Sequence, residues 1–465
     1  MLLSPLPVKE LPKPLPLRKI LGPSFIILGL GLGSGEVILW PYLTSHYGLG
    51  IIWGALLGIT FQFFMNMEIE RYTLAHGESV FVGLSRKFKA ISWWFLLSTF
   101  IPWIWPGIIA SSSRLIGSLL GIEKTQYLAI VFLILIGLIL SSGRILYKTV
   151  ERFQKVLIGI GVPSIFFLSI ILASRSDWLD LAKGSLGLGH GYFLLPFGLP
   201  LASFLAALAY AGAGGNLNLA QSFYIREKGY GMGKYAGRIT SILTGKREKT
   251  SLTGATFTIN KTNLSIFNNW WRVVNREHFI VFWLTGSATI LLLALLSYTT
   301  TYGLSENITG INFVLAEAAE IGRRIFPAAG VFFLLVTGLT LFGTQLTVYD
   351  ATSRILTENL ILSLPNKLNE KQTPNIYYSV LWLQVMAGIS IFLFGFSEPL
   401  ALLTLAAVLN AFAMFIHTGL TLYLNLTSLE RELRPGRFRV LAMVSAFLFY
   451  GGFSLYVIAS KLFSL

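Results

Sequence analysis

Apolar runs of eighteen or more residues, separated by short polar stretches, set the rhythm of the whole chain. Eleven such runs fall near 21–46, 50–75, 91–119, 126–143, 153–174, 196–225, 278–300, 326–350, 376–396, 399–424 and 440–463. Each is long enough to cross about 30 Å of hydrocarbon as a helix. The pattern predicts an all-α polytopic membrane protein with eleven transmembrane helices. Two runs read poorly as continuous helices. Span one places Gly29, Gly31, Gly33 and Gly35 after Pro23; span six carries Pro196, Pro200, Gly212, Gly214 and Gly215. Glycine lowers the cost of leaving helical dihedrals, and backbone groups freed in this way must face protein or a wet cavity, because lipid cannot satisfy them. Both runs are therefore candidate broken helices. Each opens a set of five spans, and an odd number of spans per set makes the two sets opposite in orientation. That is the inverted-repeat layout in which broken helices build a midplane substrate site. The expected organisation is a tail (1–20), a first repeat of spans one to five (21–174), a second repeat of spans six to ten (196–424) and an appended last span (440–463).

Composition agrees with a lipid environment: 54% of residues are hydrophobic, 12% are charged and the mean hydropathy is +0.68. The absence of cysteine removes disulfides, thiolate metal ligands and thiol nucleophiles together. A formal charge of +15 raises nucleic-acid binding, but the distribution answers it. With the tail inside, 29 of the 36 Lys and Arg fall on cytoplasmic segments, a bias that insertion itself produces. The expected location is the plasma (inner) membrane, multi-pass, with a cytoplasmic N-terminus and no nucleic-acid partner. The longest polar insert, 227–277, is then cytoplasmic, with Trp270 and Trp271 expected at the membrane interface.

The charge that stands out is Glu36, halfway along span one in Gly33-Ser34-Gly35-Glu36. An acidic residue at a helix centre costs about 2.5–3.5 kcal/mol to insert and persists with a partner, a proton or a ligand. Arg114 in span three is the candidate charge partner. The span-six stretch supplies Asn216, Asn218, Gln221 and Ser222, and span eight supplies Gln345 with Tyr349 one turn away on the same face. Their oxygens suit hard cations, and no sulfur or imidazole accompanies them in these stretches. Glu68, Glu70 and Arg71 read as a solvated cluster at the end of span two. Asp350 and Arg354 read as a structural i, i+4 pair, and Asn410 and His417 as bonds to neighbouring helices. Nucleotide-binding and hydrolase motifs are absent, so no enzyme activity and no cofactor is expected.

The stretches "LGPSFIILGLGLGSGE", "GGNLNLAQSF" and "NNWWRVVNREHFIVFWLTG" resemble the Nramp (SLC11-type) divalent metal transporter superfamily, in a divergent branch. The resemblance implies a leucine-transporter (APC-type) fold of two inverted five-helix repeats plus one extra helix, with a metal site at the two breaks. It places Gly33, Ser34 and Glu36 at the span-one site, where typical members carry Asp-Pro-Gly-Asn. It places Gly214 and Gly215, beside Asn216, where they carry the last two residues of Met-Pro-His. The acidic pair that the family keeps in span three falls on Ser111 and Arg114, and a guanidinium releases no proton at physiological pH.

The expected function is a secondary transporter that moves a hard or partly hydrated divalent cation, Mg²⁺-like rather than Mn²⁺ or Fe²⁺, by alternating access. Glu36, Gly33, Ser34, Gly214, Gly215, Asn216, Asn218 and Gln345 would form its binding site. The alternatives are a small organic solute carried on the same fold, with Glu36 holding an ammonium group, and a non-transporting sensor or scaffold. The oligomeric state stays open, and a monomer would suffice.

Overall fold

In a computed structural model, the chain is described over residues 3–14, 22–142, 146–237, 251–304, 310–462. Parts of the expected tail (15–21) and of the polar insert (238–250) lie outside the described residues. Ten helices among those described are long and apolar enough to cross a membrane, and the chain is a multi-pass membrane protein. The expected count of eleven rests on the sixth segment, which is helical only in short pieces: Leu201–Ala209, a 3₁₀ turn Gly215–Ala220, and Gln221–Lys228.

The glycines explain both breaks. The first span runs as α-helix over Pro23–Gly31, leaves it at Leu32–Ser34, makes a π-helical turn at Gly35–Leu39 and resumes over Trp40–Tyr47. In the sixth segment, Gly212, Gly214 and Gly215 have φ of 153°, 75° and 54°, values that side-chain-bearing residues adopt only at a cost. The two breaks meet backbone to backbone. A Cβ on Gly35 would stand 1.6 Å from Tyr210 O, and one on Gly31 would stand 2.9 Å from Gly212 Cα. No other residue type fits at Gly35 without moving a backbone.

The remaining spans pack around this pair. The third is interrupted between Ile91–Trp103 and Gly107–Leu120 at Pro106, a break the apolar run does not announce. There Trp103 stacks on Tyr210, with ring centroids 5.4 Å apart. The eighth is an unbroken helix over Pro327–Ser363 that touches spans one, three, five and nine. Polar threads fix it in place: Thr344 donates to Gly29 O, Ser112 donates to Gly338 O, and Gln154 donates to Gly343 O.

The seventh span differs from expectation. The polar stretch before it is helical, Lys261–His278, and continues through a π-helical turn Phe279–Leu284 into Thr285–Thr301. Trp270 is buried rather than interfacial, because its indole N–H donates to Pro12 O on the N-terminal strap. That strap pairs Val8 with Thr256 and closes one end of the bundle, here termed the tail side. The far side carries the helices Arg175–Gly184 and Asn312–Arg324 and a hairpin pairing Leu188–Gly189 with Tyr192–Phe193.

Gly35→Ala should lower the stability of the purified protein by at least about 1–3 kcal/mol through overpacking. Gly159→Ala, where no atom lies within 4 Å of the added methyl, should be neutral or gain about 0.5–1 kcal/mol from the better helix former. Thermal unfolding in detergent measures both.

Candidate functional site

Glu36 lies in the π-helical turn of the first span and is fully buried. Neither carboxylate oxygen has a hydrogen-bond partner among the described residues. Its surroundings are small groups of three helices. A Cβ on Gly31 would come within 3.1 Å of Oε1 and one on Gly286, in the seventh span, within 3.6 Å, while Gly31 itself abuts Gly212 of the sixth. The carboxylate therefore points into the junction of spans one, six and seven. A buried carboxylate without a partner costs several kcal/mol, and a bound cation or a proton removes that cost.

Arg114 does not pair with Glu36. The break at Pro106 sets the phase of the outer half of span three so that the guanidinium reaches Asn312 Oδ1, at 3.5 Å. It lines a far-side cavity of about 870 Å³ together with Glu123, Lys124 and Glu398.

The neutral candidates fall into place unevenly. Asn216 is held to span three, its amide donating to Ser98 Oγ at 2.8 Å and to Thr99 Oγ1 at 2.9 Å. Its Oδ1 and that of Asn218 are buried without a donor. Gly214 donates its N–H to Gln62 Oε1, and the carbonyl of Gly215 lies 3.0 Å from His417 Nε2. Asn410 donates to Tyr210 OH. His417 and Asn410 thus secure the sixth-span break. Gly33 packs against the Thr344 side chain, which a Cβ would overlap at 2.3 Å, and Ser34 and Gln345 are buried. No hydrogen bond joins Gln345 to Glu36. Among the described residues no group of three or more His, Asp or Glu is placed to hold a metal ion. Any divalent cation here would rely on one carboxylate and neutral oxygens.

On the tail side a buried charge layer closes the bundle. Arg354 donates to Asp350 Oδ1 at 2.8 Å and to Glu227. Tyr377 and Tyr224 donate to the same Asp350 carboxylate at 2.9 and 3.3 Å. Arg226 pairs with Glu358 at 3.1 Å. The space left there is a cavity of about 20 Å³, and none of the candidate ligands lines it or the far-side cavity. Glu68, Glu70 and Arg71, expected in solvent, are buried too. Arg71 pairs with Glu68 at 2.7 Å, and Gln221 donates to Glu70 Oε1 at 2.6 Å. The signal for this was present: apolar residues resume at Leu74 and Ala75, so the helix stays inside protein beyond its charges.

These features define an all-α membrane bundle with two broken helices crossing at a buried polar centre. No family model and no curated protein sequence matches the chain, but solved structures do. Crystal structures of a manganese transporter from Eremococcus coleocola match with a TM-score of 0.70 at 12% identity, covering 98% of this chain and 90% of that one. The same transporter in complex with an aromatic bis-isothiourea substituted compound matches at 0.64, with 12% identity and 96% and 87% coverage. Mhp1, a nucleobase-cation-symport-1 family transporter in a closed conformation with bromovinylhydantoin bound, matches at 0.50, with 13% identity and 99% and 97% coverage. The chain shares its fold with these solved transporters.

Removing the cation of the tail-side layer strands two carboxylates. Arg354→Met should destabilise the protein by about 3–5 kcal/mol, read as a lower unfolding temperature in detergent. Arg323→Ala, which removes an exposed cation and leaves Glu320 paired with Arg324, should leave that temperature unchanged.

Proposed function

We propose that this protein is a secondary transporter of a divalent cation, working by alternating access in the plasma membrane with the tail side cytoplasmic. One observation carries the reading: Glu36, a fully buried carboxylate with no protein partner, sits where the broken first and sixth spans meet. The manganese transporter with the same fold supports the class of cargo. The donor set supports a hard cation, because Asn216 Oδ1 and Asn218 Oδ1 are available oxygens, and the span-one and span-six stretches offer neither thioether nor thiolate. Gly33, Ser34, Gly214 and Gly215 would contribute backbone rather than side chains, and Gln345 an amide. A cation that keeps part of its water shell needs fewer protein ligands than one stripped of water, which favours Mg²⁺ over Mn²⁺.

An organic ammonium cargo is the second reading, favoured by the fold shared with Mhp1. Such a solute requires a cavity of about 300 Å³ or more, whereas Glu36 is enclosed by Gly31, Gly286 and the sixth-span break. The transporters that share the fold support a non-enzymatic role.

In proteoliposomes, the native chain should move Mg²⁺ or Mn²⁺ down an imposed gradient. Glu36→Gln should cut the flux at least about tenfold, the factor for roughly 1.4 kcal/mol, and Arg114→Ala should retain most of it. The proposal fails if the native protein moves neither ion, or if Glu36→Gln transports normally.

A further inference from the structure

A second polar cluster lies towards the tail side of Glu36, where four helices converge. Glu70 comes from the second span, Glu277 and His278 from the seventh, Ser24 from the first and Gln221 from the sixth, and all five are buried. Ser24 Oγ donates to Glu277 Oε2 and lies 2.8 Å from His278 Nδ1. A hydroxyl has one hydrogen, so the oxygen that donates to Glu277 accepts from His278 Nδ1–H. The same nitrogen is 3.5 Å from Glu70 Oε1. Glu70 Oε2 and His278 Nε2 have no hydrogen-bond partner. The groups form a chain rather than a shell around one point, which suits a proton and not a metal ion.

The His278 ring stacks on Phe282 at 4.7 Å and on Phe63 at 5.6 Å, which fixes its plane. Arg439 of the last span faces Glu70 and His278, and Lys228 faces Glu277. Both cations are already engaged, Arg439 with Glu68 at 3.4 Å and Lys228 with Glu151 at 2.8 Å. Arg71 is taken up by Glu68, and the remaining titratable groups nearby, Tyr147 and Tyr230, are neutral phenols. Among the described residues, neither Glu70 nor Glu277 is ion-paired to a Lys or Arg within 4 Å.

The cluster is joined mechanically to Glu36. The π-helical turn Phe279–Leu284 begins directly after His278, and π turns inside helices frequently mark functional sites. Phe282, on that turn, stands 3.0 Å from where a Cβ on Gly212 would be, and Gly286, just past it, borders Glu36 Oε1. His278 and Gly286 are eight residues apart, roughly 12 Å along one helix.

We propose that Glu70, His278, Ser24 and Glu277 form a binding site for one exchangeable proton, whose occupancy is coupled through the π-helical turn of the seventh span to the cargo at Glu36. The proposal rests on the transport reading for its cargo, but the proton site can be tested alone. Because the chain has no cysteine, the single substitution Ile26→Cys reports when the tail-side half of span one leaves the bundle. Maleimide labelling should change between about pH 5 and pH 8 by more than thiol ionisation explains, taking the ratio to the same label on Gly436→Cys, an exposed position with no atom within 4 Å of an added Cβ. His278→Gln and Glu70→Gln should each shrink that response about tenfold, one pH unit's worth of coupling. In proteoliposomes driven by a Mn²⁺ gradient, both should lose proton movement while Mn²⁺ still crosses. Glu70→Gln preserves the side-chain volume, and it decides the matter if His278→Gln fails to fold. If both the labelling response and the proton flux of Glu70→Gln match the native chain, the proton site is wrong. If the native chain moves neither Mg²⁺ nor Mn²⁺ yet its labelling response is lost in the variants, the transport reading falls and the proton site stands.

Discussion

The contact on which the rest of the molecule depends is backbone against backbone, Gly35 on the carbonyl of Tyr210. Two helices can approach this closely only where neither carries a side chain, and they can leave helical geometry only where flanking residues absorb the freed groups. Gln62 does so for the sixth span by bonding Ala209 O and Gly214 N, and His417 does so at Gly215 O. The polar side chains of spans two and ten are therefore part of the same device as the glycines of spans one and six. Once the breaks are fixed, the position of Glu36 follows: it projects from the π-helical turn towards the seventh span, into a junction with no cation to meet it.

A single unpaired carboxyl group at the centre contrasts with a layer of paired charges towards the tail side. Asp350, Arg354 and Glu227 satisfy one another, so they hold the closed arrangement without asking for a ligand. Buried pairs of this kind contribute little net stability but are costly to break singly, which suits a closure that opens only when several helices move together. The far side has no equivalent layer among the described residues. Its mouth is an open cavity rimmed by both signs of charge, Arg114 and Lys124 against Glu123 and Glu398.

The glycine pattern made both broken helices legible, and the isolated acid made Glu36 legible, because each violates what an apolar helix tolerates. What stayed hidden depended on helical phase and on neighbours. Arg114 was a reasonable partner for Glu36 on an unbroken third span, but the turn at Pro106 carries it to the far side. Glu70 resembled an ordinary end-of-helix charge, since a sequence does not say whether a helix end meets water or another helix. Trp270 was misplaced for the same reason, its expected lipid interface being occupied by the N-terminal strap.

The unbroken eighth helix has a consequence for assembly. At 37 residues it is roughly 55 Å long, well beyond the hydrocarbon thickness of about 30 Å. Asp350 lies twenty-three residues past Pro327, roughly 35 Å along the axis, at or beyond the edge of the lipid. Its charges are thus shielded by protein and not by acyl chains, so the helix can insert with Asp350 and Arg354 still hydrated. They lose their water only when the sixth and ninth spans dock. Glu36, thirteen residues or roughly 20 Å from the start of its span, enjoys no such delay, and it must enter the bilayer as a neutral acid or with a counter-ion.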